Sequence, residues 1–305
     1  MKTIILEIMY ILAGLVAVAA AFNALKDKKH PHPKETAAFW GIFGLIFLFG
    51  KYVPGYVIGV LIIVIGILAA LNRVSNGSME TAEESERAKS AEKLGNKIFI
   101  PALTIGVVAF LVAQYIKSLG SLVGLGFGAI IASIVAILMT RAKVKHIPYE
   151  GGRLLLSVGA AAILPQLLTA LGALFNEAGV GEVISHAIGG IIPQGNILAG
   201  VIAYCLGMAL FTMIMGNAFA AFAVITTGIG IPFVFSQGAN PTIAGILALT
   251  AGYCGTLMTP MAANFNVVPA AILNTQNKNR VIISQMPLAF ALLITHIILM
   301  YTLAF

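Results

Sequence analysis

Residues 252–269 read Gly252-Tyr253-Cys254-Gly255-Thr256-Leu257-Met258-Thr259-Pro260-Met261-Ala262-Ala263-Asn264-Phe265-Asn266-Val267-Val268-Pro269. Uncharged polar side chains, glycines and prolines interrupt sequence that is otherwise apolar enough to dissolve in lipid. The stretch from Met215 to Pro232 has the same character. It carries Gly216-Asn217, then Thr226-Thr227-Gly228, then Pro232. In hydrocarbon, an unpaired backbone amide or carbonyl costs several kcal/mol. Non-helical backbone at membrane depth therefore persists only where protein buries it or where it lines a watery cavity. Paired interruptions of this kind point to the binding site of a transporter.

The rest of the chain supplies the membrane context. Its 305 residues are 59% hydrophobic and 10% charged, where a soluble domain carries about 25% charged residues. Mean hydropathy is +0.99. These values indicate an all-α integral membrane protein. A β-barrel is excluded because the apolar runs are continuous and lack period-two alternation. The net charge of +7 does not indicate nucleic acid, because the basic residues sit in short loops between apolar runs. Cys205 and Cys254 lie inside apolar segments and read as packing residues. No Cys/His spacing marks a metal site.

A spanning helix needs about 20 mostly apolar residues. Ten stretches qualify or nearly so: 3–25, 36–50, 54–72, 98–116, 119–140, 154–175, 197–215, 217–236, 241–257 and 281–304. Residues 258–273 are too short and broken to cross and are expected to be re-entrant. Residues 176–194, with Gly189-Gly190 and Pro193, are expected to form an interfacial or re-entrant helix ending in a turn. Lys26, Lys28 and Lys29 follow the first apolar run, so it reads as an uncleaved helix with the N-terminus outside. Ten crossings then place loops 26–35, 73–97, 141–153 and 274–280 in the cytoplasm. Those loops hold fifteen of the eighteen Lys and Arg residues, as the positive-inside rule requires. The expected location is a membrane bordering the cytoplasm, crossed several times. The mixed-charge loop 73–97 reads as a solvated helix linking two halves.

Segments 1–140 are plain Leu/Ile/Val/Ala/Gly helices and form a scaffold half. Residues 152–305 form a transport half, with broken segments at 215–232 and 252–269. No internal repeat is visible. Transporters commonly build a site from two facing repeats, so the matching set is expected from a second membrane subunit or another copy of the chain.

Two readings compete for the polar residues. Gly216, Asn217, Thr226, Thr227 and Gly228 could pack helices through small residues and interhelical hydrogen bonds. They could equally open the backbone so that carbonyls hold a sodium ion and free helix-terminal amides hold an anion. The conjunction of Gly, Asn, paired Thr and Pro favours the second. Around Gly255, Thr256, Thr259, Pro260, Asn264 and Asn266 the case is stronger, because Pro260 disfavours helical geometry at Thr259. Glu7, His186 and His296 read as interfacial or packed groups. No carboxylate lies at membrane depth in the transport half, so Na+ is favoured over H+ as the coupling ion. No phosphate loop, HExxH or Ser/His/Asp constellation is present, and the chain is not expected to be an enzyme.

The runs MGNAFAAFAVITTGIGIP (215–232) and AGYCGTLMTPMAANFNVVPAAI (251–272) resemble a bacterial membrane family named as one subunit of a two-subunit 5-oxoproline transporter. More distantly, GTLMTPMAANFN (255–266) is similar to the second hairpin of the ion-transporter superfamily. That resemblance implies hairpin tips binding sodium and a carboxylate. Asn217, Thr226 and Thr227 would lie in one tip, and Thr256, Thr259, Pro260, Asn264 and Asn266 in the other. The expected function is thus a subunit of a secondary carrier for a small organic anion. A passive channel or a non-transporting structural subunit are the alternatives.

Overall fold

The computed structural model of the protein describes residues 2–78, 84–189, 195–273 and 275–305. Among these, every regular element is helical. Seven helical stretches are long and apolar enough to cross a membrane: Lys2–Lys26, Arg87–Tyr115, Gly120–Thr140, Val144–Glu177, Ile197–Met215, Ala218–Gln237 and Arg280–Leu303. Gly55–Ala70 and Pro241–Leu257 are apolar but shorter. The chain is thus all-helical with the character of a multi-pass membrane protein. It divides into two units, Met1–Gly159 and Ala160–Phe305.

The first unit holds α1 (Lys2–Lys26), α2 (Pro33–Phe49), α3 (Gly55–Ala70), α4 (Glu84–Leu94), α5 (Ile100–Tyr115), α6 (Gly120–Thr140) and α7 (Ile147–Val158). Its interfaces are set by glycine. A Cβ on Gly44 would stand 3.0 Å from the carbonyl oxygen of Gly14, where α1 and α2 touch. One on Gly128 would stand 2.7 Å from the carbonyl of Ile105, where α6 meets α5. Without a hydrophobic drive between helices in lipid, such close backbone approach is the main source of packing energy. Helix α5 buries no residue fully; Ile105 and Val112 are half-buried toward α6, and Leu103, Val107 and Phe110 are exposed.

One end of this unit gathers three of the four loops assigned by charge to a single side. Asp27 accepts bonds from the Ser78 amide and hydroxyl, both 2.6 Å. The Thr36 hydroxyl donates to the Arg73 carbonyl at 3.2 Å. Asn23, near the end of α1, donates to the Tyr149 carbonyl at 3.4 Å. The opposite end carries the Lys51–Glu7 ion pair. The solvated helix expected in loop 73–97 is α4, whereas residues 79–83 lie outside the described residues. Residues 152–158, grouped by sequence with the C-terminal half, pack in the first unit: a Cβ on Gly152 would sit 3.2 Å from the Ala20 backbone of α1. Glycine 159, at φ 61, interrupts the run Val144–Glu177 there.

The second unit holds α8 (Leu164–Glu177), α9 (Val180–Gly189), α10 (Ile197–Met215), α11 (Ala218–Ile225), α12 (Ile231–Phe233), α13 (Pro241–Leu257), α14 (Val267–Ile272) and α15 (Arg280–Leu303). The interfacial helix expected over 176–194 corresponds to α9; Gly190 and Pro193 lie outside the described residues. Tyr204, Met208, Ala248, Cys254 and Leu293 form part of the core. Both cysteines are unpaired and buried, as packing residues should be.

Candidate functional site

Helices α10 and α13 run parallel and stop at the same level. A Cβ on Gly255 would stand 2.1 Å from the Ala209 carbonyl oxygen. One turn on, the Thr259 hydroxyl donates to the Met213 carbonyl at 2.8 Å. Helix α10 then ends at Gly216, in the left-handed region at φ 65, whose amide bonds the Thr212 carbonyl at 2.7 Å. A side chain there would be strained and would also meet the Met261 carbonyl oxygen at 2.5 Å. Asn217 follows in extended geometry and caps α11, its Oδ1 accepting from the amides of Phe219 (2.9 Å) and Ala220 (3.4 Å). Its Nδ2 donates to the Thr169 hydroxyl of α8 at 3.2 Å.

Beyond α13 the chain leaves helical geometry from Met258 to Asn266. Asn266 folds back, and its Nδ2 donates to the carbonyls of Thr256 (2.8 Å) and Thr259 (2.7 Å). These are carbonyls that the end of α13 leaves unpaired. The side chain is 1% exposed, and its Oδ1 has no partner among the described residues. The hydroxyl of Thr212, one turn before the end of α10, is likewise buried without a partner.

Between the two turns lies a cavity of about 200 Å³. Gly216, Asn217 and Phe219 line one wall, and Tyr253, Thr256 and Asn264 another. The Tyr253 ring stands edge-on to Phe219, with centroids 6.1 Å apart, and tilts against Phe265 at 6.2 Å. Among the described residues, no lining side chain carries a charge. The field comes from helix ends: α11 presents its positive N-terminus, whereas α10 and α13 present their negative C-termini. Helix α13 is tied to the end of α15 by the Asn240 amide, which donates to the Ala304 carbonyl at 2.7 Å.

A family model described as "Protein of unknown function (DUF979)" matches residues 7–305. The chain belongs to this family. Searches of the curated proteins and of the solved structures each return no match.

In this DUF979 chain the sequence-selected residues fall into two groups. Gly216, Asn217, Thr256 and Asn264 share the cavity. Thr259, Pro260 and Asn266 belong to the same hairpin but build its frame; Pro260 and Asn266 face a neighbouring cavity with Ala270 and Ile282. Thr226, Thr227 and Gly228 lie elsewhere. The backbone does not open there. It widens into a π turn over Thr226–Gly230, about 13 Å along the helix from Asn217. The Thr226 hydroxyl bonds the Tyr204 hydroxyl at 2.7 Å, and the Thr227 hydroxyl donates to the Ala223 carbonyl at 2.6 Å. A Cβ on Gly228 would stand 2.5 Å from the Gly181 carbonyl of α9. Helix packing claims these three residues.

A second correction concerns Gly255 and Thr256, expected in the broken segment. Helix α13 continues through both, because Gly255 is required for the approach to Ala209 rather than for an opening. The lining residues that sequence reasoning passed over include Tyr253, Phe219, Phe265 and Met261. Tyr253 gave little signal, because the glycines on either side of it, Gly252 and Gly255, serve the contact with α10 rather than room for its ring.

Proposed function

We propose that this protein is a subunit of a secondary carrier for a small organic anion, with 5-oxoproline as the substrate and Na+ as the coupling ion. The observation that carries the proposal is the cavity between the two predicted turns, where one helix N-terminus and two helix C-termini converge. A carboxylate belongs at the α11 end, with the Asn217 amide group as donor. Each such terminus contributes roughly 0.3–2 kcal/mol, suited to a substrate that must be released. Its ring belongs among Phe219, Tyr253 and Phe265. The cavity is smaller than the 300–1,000 Å³ typical of drug-sized ligands, which suits so small a solute. The cation belongs at the C-terminal ends. Buried oxygens of Asn266 and Thr212 without partners are hard neutral ligands of the kind sodium takes.

On this reading the chain crosses an inner membrane about ten times, with the N-terminus outside and the hairpin 258–273 re-entrant from the cytoplasm. A second membrane subunit, or a second copy, completes the path. No catalytic step is assigned, and no resident cofactor is needed. One observation favours the alternative of a structural subunit: the Asn217 oxygen already occupies two of the α11 amides. Labelled 5-oxoproline uptake into proteoliposomes, with and without a partner subunit and under imposed Na+ or H+ gradients, separates these readings. Accumulation against a concentration gradient also excludes a passive channel.

A further inference from the structure

The first unit holds a second cavity, independent of the transport reading. It is a cleft of about 640 Å³ where α1 ends and the chain before α7 passes beneath it. Four lysines line it: Lys26, Lys28, Lys29 and Lys145. Among the described residues the lining holds one acidic side chain, Asp27, and its carboxylate is hydrogen-bonded. It accepts from the Ser78 amide and hydroxyl and from the Lys29 amide at 3.0 Å. Those bonds hold its carboxyl below the usual range, so it stays ionised and offsets one of the four lysine charges. Among the described residues, no ion pair involves any of the four lysines. The cleft therefore combines a donor-rich floor with surplus positive charge.

Its rim is apolar. Phe22, one turn before Lys26, is 59% exposed, and Leu25 is 56% exposed. Val144, next to Lys145, is 65% exposed. A free anion uses the lysines and leaves these side chains in water. A molecule with a phosphate head and hydrocarbon tails uses both. Basic pockets at the ends of spanning helices suit anionic head groups for this reason.

We propose that this cleft binds the phosphate head group of an anionic phospholipid, with its acyl chains lying along Phe22 and Leu25. The bound lipid bridges the loop after α1 and the segment before α7, and so ties together two stretches far apart in sequence.

Native mass spectrometry of the delipidated full-length protein in neutral detergent tests this, with phosphatidylglycerol and phosphatidylcholine as probes. Near an anionic surface each lysine contributes about a fivefold gain in binding. The wild-type protein should retain phosphatidylglycerol well above phosphatidylcholine, and rising NaCl should release it. Lys26→Gln/Lys29→Gln/Lys145→Gln should weaken retention by about a hundredfold. The charge-matched control Lys89→Gln/Lys93→Gln/Lys97→Gln should match wild type. If the first triple variant fails to fold, the exposed single change Lys145→Gln should still cost about fivefold. Equal retention of the two lipids, equal loss in both triple variants, or salt-independent binding by the wild type overturns the proposal. Displacement of the lipid by millimolar sodium phosphate overturns it too, by assigning the cleft to the free anion.

Discussion

The side-chain amide of Asn266 donates to the backbone carbonyl of Thr256, ten residues earlier, at 2.8 Å. This bond, with its companion to Thr259, closes the end of α13 and fixes where Asn264 points. The two asparagines, two positions apart, therefore have separable roles. Replacing Asn266 by Ala leaves two buried carbonyls unpaired and should cost about 3 kcal/mol. Replacing Asn264, which is exposed in the cavity wall, should change stability by less than about 0.5 kcal/mol while reducing substrate uptake. Thermal unfolding in detergent, measured beside uptake, checks both arms.

Gly216 is constrained twice, by its left-handed backbone and by the Met261 carbonyl facing its α-carbon. Gly216→Ala should therefore destabilise by at least about 2 kcal/mol. Ala218→Gly, just inside α11, has no such clash and should cost only about 1 kcal/mol, through helix propensity. A comparable loss at the two positions contradicts the close approach of the two turns.

These residues show what was legible in sequence and what was not. Helix class and the multi-pass pattern follow from composition, because lipid forces every backbone group to pair within its own helix. The loss of helix after α13 was legible because Pro260 and two asparagines interrupt an apolar run. The π turn was not. Thr226-Thr227-Gly228 carries the composition of an opened segment, yet the same small residues allow α9 to approach. Only the distance from Gly228 to Gly181 decides between them. Gly255 failed in the same way, since a glycine that opens a chain and one that admits a neighbouring backbone are spelled alike. Tyr253 was missed because a single aromatic within a helix carries no periodic signature.

Asn217 both caps α11 and offers an amide group to the cavity, and two substitutions separate these roles. Asn217→Ala removes the cap and should cost about 1 kcal/mol. Asn217→Asp keeps an acceptor for the Phe219 and Ala220 amides, loses only the donation to the Thr169 hydroxyl, and should be more stable than the Ala variant. It also sets a negative charge where the substrate carboxylate is proposed to bind. Uptake by the Asp variant should fall at least as far as by the Ala variant despite its greater stability. The opposite order places the anion elsewhere.

Asp27 makes docking of the 73–78 segment pH-dependent. Its folded carboxyl lies below the ordinary range, chiefly because the Ser78 hydroxyl and amide bond the ionised form. A lowered folded pKa means stabilisation that is complete above the unfolded value, about 3.9. It is lost as pH falls from there through the folded value. Asp27→Asn should therefore be less stable than wild type at neutral pH, with the difference closing below about pH 4. Unfolding temperatures of the two proteins across that range test the sign. A gap that widens on acidification contradicts it.

The Thr212 hydroxyl is buried without a partner, one turn before the break in α10. An unpaired buried hydroxyl carries a desolvation cost, and replacing it by a methyl of the same shape is nearly neutral or stabilising. Thr212→Val should therefore leave the unfolding temperature unchanged or raised. If this oxygen ligates the coupling ion, the same variant should require much more Na+ for half-maximal uptake. Maximal uptake at saturating Na+ should be less affected. Sodium titration of uptake in proteoliposomes, beside an unfolding curve for the same preparation, distinguishes a ligand from a packing residue. A wild-type Na+ response in a stabilised Thr212→Val protein removes this hydroxyl from the ion site and leaves Asn266 Oδ1 as the unpaired buried oxygen at the hairpin.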